Sequence, residues 1–275
     1  MAVVLALGAS LTWGFADFFG PLQGRALGAL RALVWVEAAG LLGIAVIVAV
    51  RGKGPGGAVV LLAVPAAMSG TLGLYAYYRG IAVGAVSVVA PIAGVSAAIP
   101  VVVGVISGER PSVWQGVGMA AALAGVFLAS REPDPRGGRI AAGVGLALLA
   151  AVGFGGYFPF MHAAGNTDYW WASLIFRITS TTLVLIPALA RRTSLAVAPG
   201  RLWPLALVGL GDMFGNLLYA ASAAYGLVSV TAVLASLYPI VTVALARVAL
   251  AERVARSQEA GVALTLAGVV LISAT

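Results

Sequence analysis

The chain has 275 residues and a formal net charge of +7; 61% of its residues are hydrophobic, only 9% are charged, and the mean hydropathy is +1.05. A soluble globular protein has roughly 25% charged residues, so a soluble enzyme or a soluble nucleic-acid-binding protein is excluded. The chain has no cysteine, which excludes disulfides, thiolate metal sites and cysteine nucleophiles. This composition is typical of an integral membrane protein.

Apolar runs of about 18 to 25 residues recur along the chain and are long enough to cross a hydrocarbon layer about 30 Å thick as helices. Glycine, proline and charged residues separate these runs. We therefore predict an all-α integral membrane protein with ten transmembrane helices. Their predicted ranges are residues 2–20, 27–50, 58–79, 83–107, 112–130, 140–162, 169–190, 202–224, 228–250 and 257–274.

Helices 1 and 2 carry charges inside apolar runs. Asp17 follows Trp13 by one turn, so the two side chains share a face. Helix 2 has Arg31 and Glu37, which are six residues apart and lie on different parts of the helix, so their pairing is left open. A charge at mid-bilayer costs about 2.5 kcal/mol or more. We therefore expect these side chains to face a cavity or a partner.

Aromatic residues and prolines mark helices 3, 4 and 9. Tyr75 and Tyr78 are candidates for a cavity lining whose ring faces attract cations, although tyrosine is also common at membrane interfaces. Prolines inside a membrane helix permit bending. Pro91, Pro100 and Pro239 are therefore hinge candidates.

The most polar stretch of the chain, residues 131–139, lies near its middle. Its prolines and glycines end helices, and its charges are costly in lipid. We predict that it links two five-helix domains, residues 1–130 and residues 140–275.

Helices 6 to 8 hold a second group of candidates. Tyr157 in helix 6 is a further aromatic candidate, and Arg177 is a charge inside helix 7. In helix 8, Asp212, Asn216 and Tyr219 are spaced i, i+4 and i+7 and form one polar stripe.

A segment near the end of the chain repeats one from its middle. Residues 109–130 and 252–273 align at a constant shift of 143 positions, and 11 of 22 residues are identical. Glu109 and Arg110 match Glu252 and Arg253. These pairs precede helices 5 and 10, where a carboxylate can cap the next helix, so we assign them a structural role. The repeat indicates a duplicated five-helix unit, whose odd number of spans inverts the second copy.

Two interpretations of the intramembrane polar residues remain open. In the first, they surround a central cavity and bind substrate, with Glu37, Arg31 and Arg177 as coupling groups or charge partners. In the second, Asp17 or Asp212 forms a structural ion pair with Arg177. The substrate-binding candidates are Trp13, Asp17, Tyr75, Tyr78, Tyr157, Asp212, Asn216 and Tyr219.

Residues 209–212 read Gly-Leu-Gly-Asp, the pattern of intramembrane aspartyl proteases. Such enzymes need a second aspartate to share a proton; Asp17 is the deep candidate, but the usual Tyr-Asp pair is missing from the earlier helices. HExxH, GxSxG and Walker motifs are also missing from the sequence. We therefore predict no enzyme activity and no cofactor. With His162 as the single histidine, we also predict no metal site.

Several short motifs occur in order along the chain: Trp13-Gly14, Leu30-Arg31, Tyr75-Ala-Tyr-Tyr, Leu237-Tyr-Pro239, Glu252-Arg253, Gly261 and Gly268. Together they resemble the drug/metabolite transporter superfamily, specifically its EamA-type ten-helix members, over essentially the whole chain. The resemblance implies two inverted five-helix repeats and a central cavity lined by helices 1–4 and 6–9. Ser96 stands where the repeat partner of Pro239 is expected, so we expect the kink of helix 4 to differ from that of helix 9.

We predict a secondary transporter of the bacterial inner (plasma) membrane that exports small metabolites by alternating access. Amino acids are the first substrate class and organic or quaternary cations the alternative; a carboxylate would bind Arg177 or a helix N-terminus, and an amine Asp17 or Asp212. The expected partners are the solute and the lipid bilayer, and no nucleic acid is expected. The sequence does not define the oligomeric state and is compatible with a monomer. The positive-inside rule places both termini outside, whereas the resemblance implies cytoplasmic termini, so the orientation is left open.

Overall fold

The computed structural model describes residues 1–83, 89, 92–129, 140–250 and 256–273, and these residues contain no β-strand. Ten helices can be distinguished in them. They are α1 (Ala2–Leu27), α2 (Ala29–Arg51), α3 (Val59–Val83), α4 (Ala98–Ile106), α5 (Val113–Ala129), α6 and α7 (together Ile140–Ala190, divided at Asp168), α8 (Pro199–Ser222), α9 (Val228–Ala235 and Tyr238–Leu250) and α10 (Arg256–Ser273).

Many of these helices are long and apolar enough to span a membrane. This holds for α1, α2, α3, α8 and the Gly143–Ala190 stretch, which contains most of α6 and all of α7; shorter apolar helices accompany them. The protein is therefore a multi-pass membrane protein, as predicted. Linker residues 131–139 lie outside the described residues, and the domain boundaries stay a prediction.

Two helix boundaries have clear local causes. Gly28 has φ +88°, a conformation that favours glycine, and it separates α1 from α2. Asp168 has non-helical φ and ψ angles and separates α6 from α7. Its Oδ1 accepts hydrogen bonds from the backbone N–H groups of Trp170 and Trp171 at 3.0 and 3.2 Å. Asp168 therefore caps the first turn of α7.

The pairing of α5 with α10 shows that the two repeats are inverted. A Cβ atom built on Gly118 would lie 2.8 Å from the Gly268 carbonyl oxygen, and one on Gly125 would lie 2.6 Å from the Gly261 carbonyl oxygen. At the shift of 143, however, Gly118 matches Gly261 and Gly125 matches Gly268. The partners are thus exchanged between the copies, which requires two antiparallel helices related by a two-fold axis.

That two-fold axis passes close to Ala122 and Thr265. These residues match each other at the shift of 143, and the Thr265 hydroxyl donates a hydrogen bond to the Ala122 carbonyl oxygen at 3.4 Å. A residue that contacts its own repeat partner must lie near the axis. The predicted fold, an all-α membrane protein of two inverted five-helix repeats, is confirmed.

The remaining helices exchange partners in the same way. Helix α3 of the first repeat packs on the α6–α7 unit of the second, and α8 of the second repeat packs on α1 and α2 of the first. Glycines allow the close approaches: Gly73 faces Gly153 and Phe154 of α6, and Gly215 faces the Trp13 ring of α1. The four helices α1, α3, α6 and α8 thus meet at the seam between the repeats.

Helix α9 is interrupted near its middle, and a 3₁₀ turn directly precedes α4. A 3₁₀ turn, Val95–Ala97, precedes Pro100 at the start of α4, and α9 breaks between Ala235 and Tyr238, just before Pro239. Both prolines lie in the first turn of the helical segment that follows, where their missing N–H is not needed. The two arrangements differ in form, as expected from Ser96. Pro91 lies outside the described residues.

Contacts between the repeats hold one end of the bundle together. We call this end the first face; it contains residues 52–58, 107–112, 168 and 223–227. Arg51 forms an ion pair with Asp168 at 2.9 Å, and the Trp171 indole N–H donates to the Lys53 carbonyl oxygen at 2.7 Å. Gly28 and residues 191–198 lie at the opposite end, the second face, where the Trp35 indole N–H donates to the Leu195 carbonyl oxygen at 3.0 Å.

Glu109 also joins the repeats at the first face. Its two carboxylate oxygens accept hydrogen bonds from the backbone N–H groups of Val228 and Ser229, at 2.6 and 3.0 Å. Glu109 therefore caps α9, a helix of the other repeat, and not the helix that follows it. Helix α5 has its own capping box, because Ser112 and Gln115 bond reciprocally.

Of the other members of the two Glu-Arg pairs, the structure describes Arg110 alone. Arg110 is exposed at the first face. Glu252 and Arg253 lie outside the described residues, so their structural role stays a prediction.

Candidate functional site

A cavity lies at the seam between the repeats, about midway along the helices. Helices α1, α2, α3, α6, α7, α8 and α9 contribute to its wall. Its volume of about 60 Å³ has room for several water molecules. The lining residues are Trp13, Asp17, Glu37, Gly70, Thr71, Leu74, Phe154, Tyr157, Phe158, Phe176, Asp212, Asn216 and Tyr238.

A buried charge cluster forms one side of the cavity. The Arg177 guanidinium donates to Glu37 Oε2 through Nη1 at 2.8 Å and to Asp212 Oδ2 through Nη2. Glu37 Oε2 also accepts a hydrogen bond from the Ser180 hydroxyl at 2.5 Å, and Asp212 Oδ2 accepts one from the Asn216 amide at 3.3 Å. Arg177 and Glu37 are almost fully buried. Each charge therefore has an opposite charge beside it, as a low-dielectric site demands, and of the guanidinium nitrogens only Nε has no partner among the described residues.

Two glycines make room for this cluster. A Cβ atom on Gly40 of α2 would lie 3.1 Å from the Nε and Cζ atoms of Arg177 and 2.9 Å from the Gly209 carbonyl oxygen. A Cβ on Gly209 of α8 would overlap the Val36 carbonyl oxygen and lie 3.0 Å from the Ala39 Cβ. Since α2 and α8 touch through backbone, the Glu37 and Asp212 side chains can both reach the guanidinium between them.

Asp17 differs from the other two carboxylates. It is half-buried on α1 and lines the cavity. Throughout the part of the chain that the structure describes, no side chain or backbone N–H forms an ion pair or hydrogen bond with it. Asp17 therefore places an uncompensated carboxyl group in the cavity.

Aromatic rings form another part of the cavity wall. Trp13 lies edge-on to Tyr157 and Phe158, with ring centroids 5.9 and 6.1 Å apart, and Tyr157 lies edge-on to Phe176 at 5.4 Å. Tyr219 joins the cluster behind Trp13 at 6.0 Å. Edge-to-face rings at these distances stabilise one another by roughly 0.5–1.5 kcal/mol beyond area burial. The lining is therefore a packed aromatic wall.

Three buried hydroxyl groups of the cavity wall lack partners among the described residues. Thr71 Oγ1, Tyr157 Oη and Tyr238 Oη are inaccessible to solvent and make no hydrogen bond there. An unpaired buried hydroxyl costs about 1–3 kcal/mol. Groups of this kind at a cavity wall are available to a ligand.

The structure brings together six of the predicted residues and separates the rest. Trp13, Asp17, Glu37, Tyr157, Asp212 and Asn216 line one cavity, with Arg177 directly behind it.

Four of the predicted residues lie elsewhere: Tyr219, Tyr78, Arg31 and Tyr75. Tyr219 donates to the Phe158 carbonyl oxygen at 3.0 Å and lies behind the wall. Tyr78 packs against Gly20 and Gly24 of α1. Arg31 does not line the cavity, and Glu37 pairs with Arg177 instead. The roles of these residues in binding stay predictions.

Tyr75 lines a second pocket between α2, α3 and α7, with Leu30, Met68, Leu72 and Leu183 among its walls. Met68, Leu72 and Tyr75 are the repeat partners of Asp212, Asn216 and Tyr219. The second pocket is thus the counterpart of the charged cluster, but its described lining has no carboxylate and is apolar apart from Thr71, Tyr75 and Arg191. The two repeats share a backbone plan and differ in the polarity of these equivalent positions.

Sequence reasoning missed several lining residues. Thr71, Leu74, Phe158, Phe176 and Tyr238 are unremarkable in an apolar chain, and Ser180 carried no signal because its partner Glu37 is 143 residues away. One signal was present: Phe154-Gly155 is the repeat partner of Trp13-Gly14, and both lie at the seam.

Comparison with known protein families identifies the family of this chain. The model of the EamA-like transporter family matches residues 1–131 and again residues 141–274. The chain belongs to the EamA-like transporter family. The two matches also repeat the architecture seen in the structure. This EamA-like protein is therefore a membrane transporter of the drug/metabolite type.

Solved structures support the fold alone. One chain, titled "Crystal structure of protein", is 18% identical with a TM-score of 0.77; the alignment covers 99% of this chain and 96% of that one. A comparison with curated proteins gives no match.

Membership of a transporter family also bears on the Gly-Leu-Gly-Asp pattern. In this EamA-like protein Gly209 packs against α2, and Asp212 is held by Arg177 and Asn216. Two aspartates that share a proton need each other as partners. The geometry around Asp212 supports a packing and ion-pair role for this segment.

Proposed function

We propose that this protein is a secondary transporter that carries a small metabolite through the central cavity by alternating access. One observation supports the proposal above all others. Helices of both inverted repeats form the wall of one cavity, midway along the helices. This cavity contains the Asp17 carboxyl group, which has no partner among the described residues and is costly at that depth in a membrane. Sites of this kind, at the midplane between inverted repeats, are where secondary transporters bind their solutes.

The two-fold relation between the repeats suggests how access alternates. The contacts of Arg51 with Asp168 and of Glu109 with α9 close the first face. If the repeats rock about the cavity, these contacts separate while equivalent surfaces meet at the second face. The 3₁₀ turn before α4 and the break within α9, next to Pro100 and Pro239, are the proposed bending points.

Energy for transport would come from solute or ion gradients, because the sequence has no Walker motif. Amino acids and organic cations are the proposed solute classes, moved outward across a bacterial inner membrane. We propose a monomer surrounded by lipid as the working unit, since each chain contains both repeats and a complete cavity.

Purified protein in liposomes tests this function. We expect saturable exchange of at least one solute from a panel of amino acids and amines, and we expect Asp212→Asn to lose it, because this variant removes one of the two carboxylates that hold Arg177. Cleavage of a membrane peptide should occur with neither form. Protein-free liposomes are the control. Peptide cleavage that Asp212→Asn abolishes, without solute exchange, would contradict the proposal and support an aspartyl protease.

A further inference from the structure

We propose that the solute is a small organic ammonium ion that bears N–H donors and has no carboxylate, with Asp17 as its counter-ion. This proposal rests on the transport function proposed above and names the chemical class that the cavity accepts. Three features of the cavity carry it: the balance of charges, the position of Arg177, and the unpaired hydroxyl groups beside the aromatic wall.

The charge balance favours a cation. Asp17, Glu37 and Asp212 place three carboxyl groups at the cavity wall, and Arg177 is the guanidinium that lies among them. Glu37 and Asp212 share this guanidinium, which leaves Asp17 without a cation in the described residues. An ammonium group beside Asp17 would supply the missing charge in a site where charges are weakly screened.

Among the described residues at the central cavity, no cationic side chain presents a free terminal nitrogen to a solute carboxylate. Both terminal nitrogens of Arg177 are occupied by Glu37 and Asp212. Its remaining nitrogen, Nε, has no hydrogen-bond partner among the described residues, but it lies against Gly40 of α2, and Arg177 is fully buried behind the cavity wall. The described lining residues include no other arginine and no lysine. An amino acid would therefore bring its carboxylate into a site that already has an excess of carboxyl groups.

The hydroxyl groups distinguish a primary or secondary ammonium ion from a quaternary one. Thr71 Oγ1 and Tyr157 Oη are buried at the wall and unpaired within the described part of the chain, and a hydroxyl oxygen can accept an N–H donor. A quaternary ammonium ion has no N–H group to donate. The Trp13 ring, which lines the cavity, can add a cation–π attraction of about 0.5–2 kcal/mol in a desolvated site.

Four compounds with one carbon skeleton test the class: 2-phenylethylamine, its N,N,N-trimethyl analogue, phenylalanine and 2-phenylethanol. Thermal unfolding of the purified protein in detergent measures binding, because a ligand of the native state raises Tm with its concentration. We expect phenylethylamine to bind at least about tenfold more tightly than each of the other three compounds.

Three variants test whether Asp17 and the Tyr157 hydroxyl cause the preference for phenylethylamine. Asp17→Asn is expected to weaken phenylethylamine binding by at least about tenfold and to leave unfolding without ligand cooperative. Glu259→Gln, which neutralises an exposed carboxylate on α10, is the matched control and should bind as the wild type does. Tyr157→Phe keeps the ring and removes the hydroxyl, so the difference in binding affinity between phenylethylamine and its trimethyl analogue should become smaller.

Several outcomes would overturn the proposal. These are a preference for phenylalanine, equal binding of the trimethyl analogue, no binding by any of the four compounds, or full binding by Asp17→Asn. The transport function fails separately: phenylethylamine that binds through Asp17 but never crosses proteoliposomes would support the site and contradict the transporter. Exchange of phenylalanine without binding of phenylethylamine would support the transporter and contradict the proposed ammonium site.

Discussion

Arg177→Met is expected to destabilise the folded protein by about 3–5 kcal/mol, the usual cost of removing one partner from a buried ion pair. The methionine would leave Glu37 and Asp212 facing each other with no cation between them, in a position where Arg177 now bonds to both. Denaturant unfolding in detergent, followed by helical content, measures the change. Solute exchange in liposomes should be lost with it.

Two controls separate charge from packing. Arg201→Met, at an exposed position near the start of α8, should leave stability within about 0.5 kcal/mol. The triple variant Glu37→Gln, Arg177→Met, Asp212→Asn removes every charge of the cluster and should recover much of the lost stability, because no uncompensated charge remains. Wild-type stability of Arg177→Met would contradict the assigned ion-pair cluster.

Gly209→Ala is expected to be the second severe change. Its new methyl group would overlap the Val36 carbonyl oxygen of α2, which is backbone and has little freedom to move. Overpacking of this kind costs about 1–3 kcal/mol. The shift of α8 away from α2 would also separate Asp212 from Glu37 and Arg177, so we expect exchange activity to fall more than stability.

Gly211→Ala is the matched control, two residues further along the same helix. A Cβ atom there would lie 3.6 Å from the Thr12 carbonyl oxygen, an ordinary contact. Because alanine favours a helix over glycine by about 1 kcal/mol, this variant should be neutral or slightly stabilised. If both alanine variants had the same stability and activity, close packing of α2 on α8 at Gly209 would not be required to hold Glu37, Arg177 and Asp212 together.

The sequence predicted the fold well because a duplication leaves matched residues. The alignment of residues 109–130 with 252–273 indicated two copies, and the exchanged contacts of Gly118 and Gly125 show how they pack. Helix ends were predicted less well. Helix α1 continues past Pro21 to Leu27 and ends where Gly28 adopts positive φ, and α6 continues to the cap residue Asp168. Proline inside a membrane helix does not by itself end it.

The candidate site was predictable only where helical spacing sufficed. The face shared by Trp13 and Asp17 and the stripe of Asp212 and Asn216 both reach the cavity. The pairing of Glu37 with Arg177 joins residues 140 positions apart, and such a contact depends on how α2, α7 and α8 pack. The apolar lining residues resemble every other apolar residue of a membrane helix, so nothing in their spacing or type distinguishes them.

Accessibility of the cavity from each side of the membrane tests the central claim most directly. Since the chain has no native cysteine, each single-cysteine variant reports one position. Leu74→Cys places a thiol in the cavity wall, Gly54→Cys in an exposed connector of the first face, and Val46→Cys on the exposed outer surface of α2. A membrane-impermeant thiol reagent is applied to one side of sealed vesicles and then, in a separate sample, to the other.

Alternating access predicts that Leu74→Cys reacts from both sides, Gly54→Cys from one side, and Val46→Cys from neither. The Leu74→Cys labelling should also slow when the transported solute occupies the cavity. If Leu74→Cys reacted from one side only, or from neither, with and without solute, the cavity would not be the transport pathway and the proposed mechanism would be wrong.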